Sequence, residues 1–212
     1  MRKILILAGG ILTAALAAGS VFAAPPGGAV LLAQSPPADL QPAPTDHVLG
    51  KPDAPVTIVE YASMTCPHCA SFHSDVLPEL KKKYIDTGKV RYVYRDFPLD
   101  AVALQAAQIA ECAGNERYFA VLDLIFQTQS HWAVAKDPTT DLAKSLRIAG
   151  IGEADIKACL ANDKIATAIV AERQTGEKLG VSSTPTLFIN GERWTGARTI
   201  AALDEALAKI LK

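Results

Sequence analysis

Two cysteines three residues apart, set where a buried strand gives way to a helix, constrain this chain more than any other feature. Val56-Thr57-Ile58-Val59-Glu60-Tyr61 follows Pro55 and is β-branched almost throughout. Continuous apolarity instead of alternation predicts a strand covered on both faces, as in the middle of a helix-flanked sheet. Ser63 to Cys69 then turns the chain into a helix, with Pro67 in the first turn, where its missing N–H costs nothing. Val76, Leu77, Leu80 and Tyr84 continue at helical spacing to Gly88, and Pro78 predicts a kink or break within that run.

Val90 to Phe97 reads as a second strand, so strand, helix and strand form a parallel crossover unit within about forty residues. From residue 99 to 179 only helical patterning follows, for example Tyr118, Leu122, Ile125 and Phe126. β structure then returns: Thr186-Leu187-Phe188-Ile189 and Glu192-Arg193-Trp194 flank Asn190-Gly191, a strong hairpin signal. Ile200, Leu203, Leu207 and Ile210 mark a closing amphipathic helix. The parts assemble as βαβ, a helical insertion, then ββα.

A cysteine at the start of a helix meets free N–H groups and the positive end of the dipole, and both favour a thiolate. A free cysteine of pKa about 8.5 is only a few per cent thiolate at neutral pH, and this position raises that fraction. Cys66 is therefore the expected nucleophile, and Cys69, one turn on, the more buried resolver. Between them stand Pro67 and His68, and the His68 side chain is expected to stabilise the Cys66 thiolate by hydrogen bond or charge. Stabilising that thiolate makes the disulfide form the stronger oxidant. Glu60 interrupts an otherwise apolar strand six residues earlier. It reads either as an exposed strand end or as a buried carboxylate with a raised pKa that exchanges protons with Cys69. Thr184-Pro185, before a strand, reads as a cis-proline loop packed against the active-site sulfurs, the alternative being a proline that merely opens the strand. A zinc or copper site at Cys66 and Cys69 would need further ligands, and neither a second C-x-x-C nor an H-x-H cluster is present. His73, four residues after Cys69, is read as a surface helix histidine, the alternative being a ligand of a soft-metal site.

The remaining sequence bears on compartment. Arg2 and Lys3 precede an apolar run from Ile4 to Ala18, and Val21-Phe22-Ala23 offers a small-residue cleavage site. Residues 1–23 are thus expected to be a secretory signal peptide, with an uncleaved membrane anchor as the alternative. Residues 24–46 are proline-rich and predict a flexible tether, with folding starting near Val48. Lys and Arg number 21 against 22 Asp and Glu, which excludes the basic footprint of a nucleic-acid binder. The four cysteines of an exported chain allow three pairings, and spacing alone does not choose among them. Cys112 and Cys159 are the second candidate pair, favoured as a structural disulfide because free thiols are a liability in an oxidising compartment. The other reading makes them two small buried hydrophobes that never meet.

Val59 through Cys69 with its Cys66-Pro67-His68-Cys69 tetrad, together with Thr184-Pro185-Thr186-Leu187-Phe188-Ile189-Asn190-Gly191, resembles the DsbA-like thiol:disulfide oxidoreductases. The resemblance runs from about His47 to the C-terminus. It implies an α/β thioredoxin fold with an inserted all-helical subdomain: residues 47–98 and 180–212 form the thioredoxin part and residues 99–179 the insertion. It also implies a cis bond at Pro185, Cys66 as nucleophile, Cys69 as resolver, His68 as thiolate stabiliser and Glu60 as buried acid. The expected activity is oxidation of cysteines in exported proteins in the periplasm, without a bound cofactor or metal. Reoxidation by a membrane partner of the DsbB type and a monomeric state complete that expectation. One position departs: oxidases of the family carry valine before the cis-proline, whereas Thr184 looks more like the isomerase and broader-specificity branches. Oxidase is preferred, with an isomerase or reductase and a non-catalytic metal-binding module as alternatives. Residues 24–46 are too short and proline-rich to form the N-terminal dimerisation domain usual in such isomerases.

Overall fold

The computed structural model of the protein describes residues 37–212. The expected signal peptide and residues 24–36 of the expected tether lie outside the described residues. Five strands form one mixed sheet: β1 (His47–Leu49), β2 (Val56–Ala62), β3 (Val90–Asp96), β4 (Thr186–Ile189) and β5 (Glu192–Arg193), in spatial order β1-β3-β2-β4-β5. β2 and β3 are parallel, and β1, β4 and β5 each pair antiparallel with their neighbours. The sheet and its helices have the thioredoxin fold with helices inserted between β3 and β4.

β2 lies at the centre, and alternation along it supplies two cores. Val56, Ile58 and Ala62 face one apolar cluster with Tyr92, Tyr94 and Leu187, while Val59 and Tyr61 face another with Val93, Phe97, Phe188 and Leu40. That double coverage is why the strand is apolar at nearly every position. Glu60 shares the first face, opposite Tyr94 on β3 and Leu187 on β4.

Beyond β2 the chain winds from Pro67 to Ile85 through alternating turns of helix. α1 (Pro67–Ser71) passes into a π-helical turn (Phe72–Val76), then α2 (Leu77–Leu80), then a second π-helical turn (Lys81–Ile85). Pro78 stands in the first turn of α2, directly after the first π turn, so the wider turn absorbs the bond the proline cannot make. The insertion comprises α3 (Ala101–Glu111), α4 (Tyr118–Gln127), α5 (Gln129–Trp132), α6 (Pro138–Leu146), α7 (Glu153–Leu160) and α8 (Asp163–Lys178). Cys112 at the end of α3 is bonded to Cys159 of α7, with Cα atoms 5.9 Å apart. Cys159 is buried, whereas Cys112 lies at the surface. After β4, Asn190 and Gly191 take left-handed backbone angles, φ 49° and 84°, closing the two-residue hairpin to β5. α9 (Ile200–Ile210) completes the fold, capped by the Thr199 side chain. Among the described residues no helix is long and apolar enough to cross a membrane.

The proline-rich segment departs from the expected free tether over its described part. Leu40 is 3% exposed and joins the core beside Val59 and Tyr61. Arg95 pairs with Asp46 at 2.8 and 3.0 Å and donates to the backbone carbonyls of Asp39 and Gln41 and to Tyr61 Oη. One apolar side chain and one buried carboxylate thus fasten residues that composition alone marks as linker. β1, which follows, was not expected either. Three residues at a sheet edge carry too little periodicity to register.

Candidate functional site

The turn from β2 to α1 presents two thiols at different depths. Cys66 is the residue preceding α1, in extended conformation, with Pro67 starting the helix. It is 7% exposed, and Cys69, one turn later, is fully buried. The backbone N–H groups of Cys69 and Ala70 donate to the Cys66 carbonyl at 3.1 and 3.2 Å, closing the first turn. The fold holds the turn from outside as well. Gln129 of α5 donates its amide to the carbonyls of Met64 and Cys66, at 2.9 and 3.0 Å, and Thr65 donates to Asp100 at 2.7 Å.

The two thiols are electrostatically unlike. A hydrogen bond from the Cys69 thiol brings the Cys66 pKa down to about 5 against the cost of burial, helped by Thr184 and by the backbone N–H groups of Cys69 and His68. Burial first, then the bond to Cys66 and the charge of Glu60, push the Cys69 thiol far above its ordinary value. Cys66 is therefore a thiolate at neutral pH and Cys69 a thiol, the division of labour that attack and resolution require.

The His68 side chain is exposed and borders the groove, and its backbone N–H also favours the Cys66 thiolate. In the first turn of a helix the free N–H groups point toward the preceding sulfur, whereas the side chain at this position projects into solvent. Pro67 stands beside it, exposed, as the first helical residue.

The peptide bond between Thr184 and Pro185 is cis, and the loop faces the active-site turn. Cys66 Sγ lies 3.4 Å from the Thr184 carbonyl oxygen, and the Thr184 hydroxyl is buried next to it. Arg198 donates to the Pro185 carbonyl at 2.7 Å. His68, Phe72, Thr184, Pro185 and Arg198 border a groove of about 470 Å³.

Beneath Cys69 lies a polar cluster within the apolar core. Glu60 is fully buried, accepting a hydrogen bond from His73 Nε2 at 3.1 Å and another from Tyr92 Oη, while its Oε1 has no protein partner. His73 is not the surface histidine expected from the sequence. It is 6% exposed, and its Nδ1 lies 3.9 Å from Asp123 of α4. Burial works against its charge, but Glu60 and Asp123 outweigh that and push its pKa up to about 9. His73 stands four residues after Cys69 and three, four and seven before Val76, Leu77 and Leu80, so helical spacing places it on the same buried face, and only its polar residue type hid that. Gln129 and Arg198 were missed too: an amide in a helical segment and an exposed arginine give no local signal of their partners. Among the described residues no group of three or more His, Cys, Asp or Glu side chains is arranged to hold a metal ion.

Comparison with known proteins agrees with this geometry. A sequence model of the thioredoxin family matches residues 42–209. A protein of Rickettsia bellii named "Putative protein-disulfide oxidoreductase" is 37% identical over 167 residues, covering 76% of this chain and 64% of that protein. The chain thus spans somewhat less than two thirds of that curated relative. The crystal structure of Wolbachia pipientis alpha-DsbA1 superposes with a TM-score of 0.73 at 33% identity, covering 80% of this chain and 92% of that one. A structure named protein-disulfide isomerase, from Novosphingobium aromaticivorans, gives 0.69 at 26% identity, covering 79% of this chain and 98% of that one.

Proposed function

This chain belongs to the DsbA-like family of the thioredoxin superfamily, and on that premise we propose that it introduces disulfides into exported proteins of the periplasm by thiol–disulfide exchange through Cys66 and Cys69. The observation that carries the reading is the contrast between the two sulfurs: Cys66 brought down to about 5 at the head of a helix, Cys69 buried and pushed up. A disulfide whose reduced form is stabilised in this way is an oxidant.

In the proposed cycle a substrate thiolate attacks Cys66 Sγ of the Cys66–Cys69 disulfide. The Cys66–Cys69 bond breaks, Cys69 leaves and takes up a proton, and a mixed disulfide remains on Cys66. The substrate lies extended along the cis-proline loop, in the groove beside Thr184 and Pro185. A second substrate thiolate then attacks the substrate sulfur, and Cys66 departs as the thiolate its surroundings favour. The substrate is oxidised by two electrons and the enzyme reduced by two. A membrane partner of the DsbB type, linked to quinone, takes those electrons. Residues 1–23, read as an export signal, support the compartment. Pro67 fixes the start of the helix, and Glu60 serves in this scheme as the buried acid whose charge acts on Cys69. The Cys112–Cys159 bond is structural in this reading.

Thr184 favours a second reading. Its hydroxyl stands buried and unpartnered beside Cys66, at the position where valine marks the family's oxidases. An isomerase or reductase kept reduced in the same compartment would use the same sulfurs, the isomerase with no net electron transfer and the reductase with electrons flowing to the substrate. The redox equilibrium of the purified protein against glutathione, with free thiols counted by alkylation, separates the two. The oxidase predicts a potential well above that of the glutathione couple. A potential close to that of thioredoxin would refute it and leave the isomerase or reductase.

A further inference from the structure

Oxidation and reduction of Cys66–Cys69 move a proton on and off a sulfur that has no contact with water. Cys69 is fully buried, and so is Glu60, the carboxylate whose charge bears on it. A proton passed from Cys69 to Glu60 would stop there unless a further group carries it out.

The groups around Glu60 come from five elements. Cys69 lies on α1, Glu60 on β2, His73 on the following π turn, Tyr92 and Tyr94 on β3, and Asp123 on α4. Phe72 and Phe126 wall the imidazole, with the Phe126 ring centroid at 4.2 Å. Burial pushes both tyrosines well above their ordinary values, so they remain neutral donors and accept no charge. Among the described residues, His73 alone joins the buried carboxylate to the surface. Its Nε2 donates to Glu60 Oε2 at 3.1 Å, its Nδ1 is 3.9 Å from Asp123 Oδ1, and the Asp123 side chain is 51% exposed.

We propose that His73 and Asp123 carry the proton of the Cys69 thiol between buried Glu60 and solvent, which makes His73 a positioning and proton-carrying residue for thiol–disulfide exchange. This rests on the function proposed above. When Cys69 attacks a mixed disulfide on Cys66, its S–H proton passes to Glu60. A Cys66–Cys69 bond forms, the bond from Cys66 to the other sulfur breaks, and that sulfur leaves as a thiolate. Neutral Glu60 leaves the His73 imidazolium without its counter-charge. The Nδ1 proton then passes to Asp123 and to water, so one proton reaches solvent and a neutral pair stays in the core. The reverse sequence delivers a proton to Cys69 when a substrate opens the disulfide. A buried ion pair would otherwise be hard to account for, because taking two charges out of water brings little stability by itself.

Mixing the reduced protein with 5,5′-dithiobis(2-nitrobenzoic acid) tests this. Attack by Cys66 releases the first nitrothiobenzoate, and resolution by Cys69 releases the second. In His73→Gln the second phase should slow about tenfold near pH 6 and approach the wild-type rate near pH 9, since a lost neighbouring cation moves a proton transfer by about one pH unit or more. Asp123→Asn should shift the same limb in the same direction by about threefold, and its exposed position keeps the test open if His73→Gln does not fold. The first phase should keep its wild-type rate in both. Second-phase profiles that superimpose on wild type, or that drop by one factor at every pH, would overturn the relay. A missing fast first phase in the unaltered protein would bring down the oxidoreductase reading itself, and the relay with it.

Discussion

Lowering the pH from about 8 to about 5 should cost the reduced protein stability that a Cys66→Ser variant does not lose. The Cys66 thiol falls from 9.0 to about 5 in the folded state. A group whose folded pKa is depressed contributes stability that is complete above its unfolded pKa and disappears as the pH drops through the folded one. The window therefore runs from pH 9 down to pH 5, with a slope of about 1.4 kcal/mol per unit. Three units within it correspond to about 4 kcal/mol. The sulfur stands beside an open groove, so solvent screening leaves about 2 kcal/mol of that. Urea unfolding of both proteins, held reduced by a phosphine, at pH 8 and pH 5 measures the difference between the two losses. Equal losses in wild type and Cys66→Ser would refute the claim that the helix start and the Cys69 thiol hold a thiolate. A larger loss in the variant would do so as well.

Glu172 offers a pH effect at higher pH. Burial raises its pKa from 4.5 to about 8, and its carboxyl accepts from the Asp96 N–H at 2.6 Å. The folded state keeps that proton longer, so stability should fall as the pH rises from 4.5 to 8, and Glu172→Gln should be about 2 kcal/mol more stable than wild type at pH 9 but equal at pH 4, read by denaturant unfolding. Replacing Cys112 and Cys159 by alanine opens a link across 47 residues and should lower unfolding stability by about 4 kcal/mol, while the nitrothiobenzoate release from Cys66 stays unchanged. Gln129→Ala takes the side-chain donor from the Met64 carbonyl and one of three donors from the Cys66 carbonyl, and should cost about 1 kcal/mol, with slower Cys66 attack at every pH.

The elements carrying the chemistry were legible because their signals are local. A doubly covered strand, a proline at the head of a helix and an Asn-Gly turn each depend on neighbours in sequence. β2, the turn at Cys66 and the β4–β5 hairpin all appear where those patterns placed them. What escaped depends on distant partners. Leu40 and Asp46 look like linker until Arg95 and the face of β2 are in place. His73 looks solvated by residue type until its partner Glu60 on β2 is in place beside it.

The grip of Gln129 on the Met64 and Cys66 carbonyls has a consequence for protein engineering. The helical block enters the chain after β3 and leaves before β4, which invites splicing residue 98 to residue 180 to obtain a minimal redox module. Such a splice would keep the sheet but release the main chain at the nucleophile. Arg173, which donates to the Pro98 carbonyl at 2.8 Å, would go with it and slacken the junction itself. Grafting helical blocks between relatives should succeed only where the donor brings an amide to the position of Gln129, and a transplant lacking it should yield a folded protein with a sluggish cysteine.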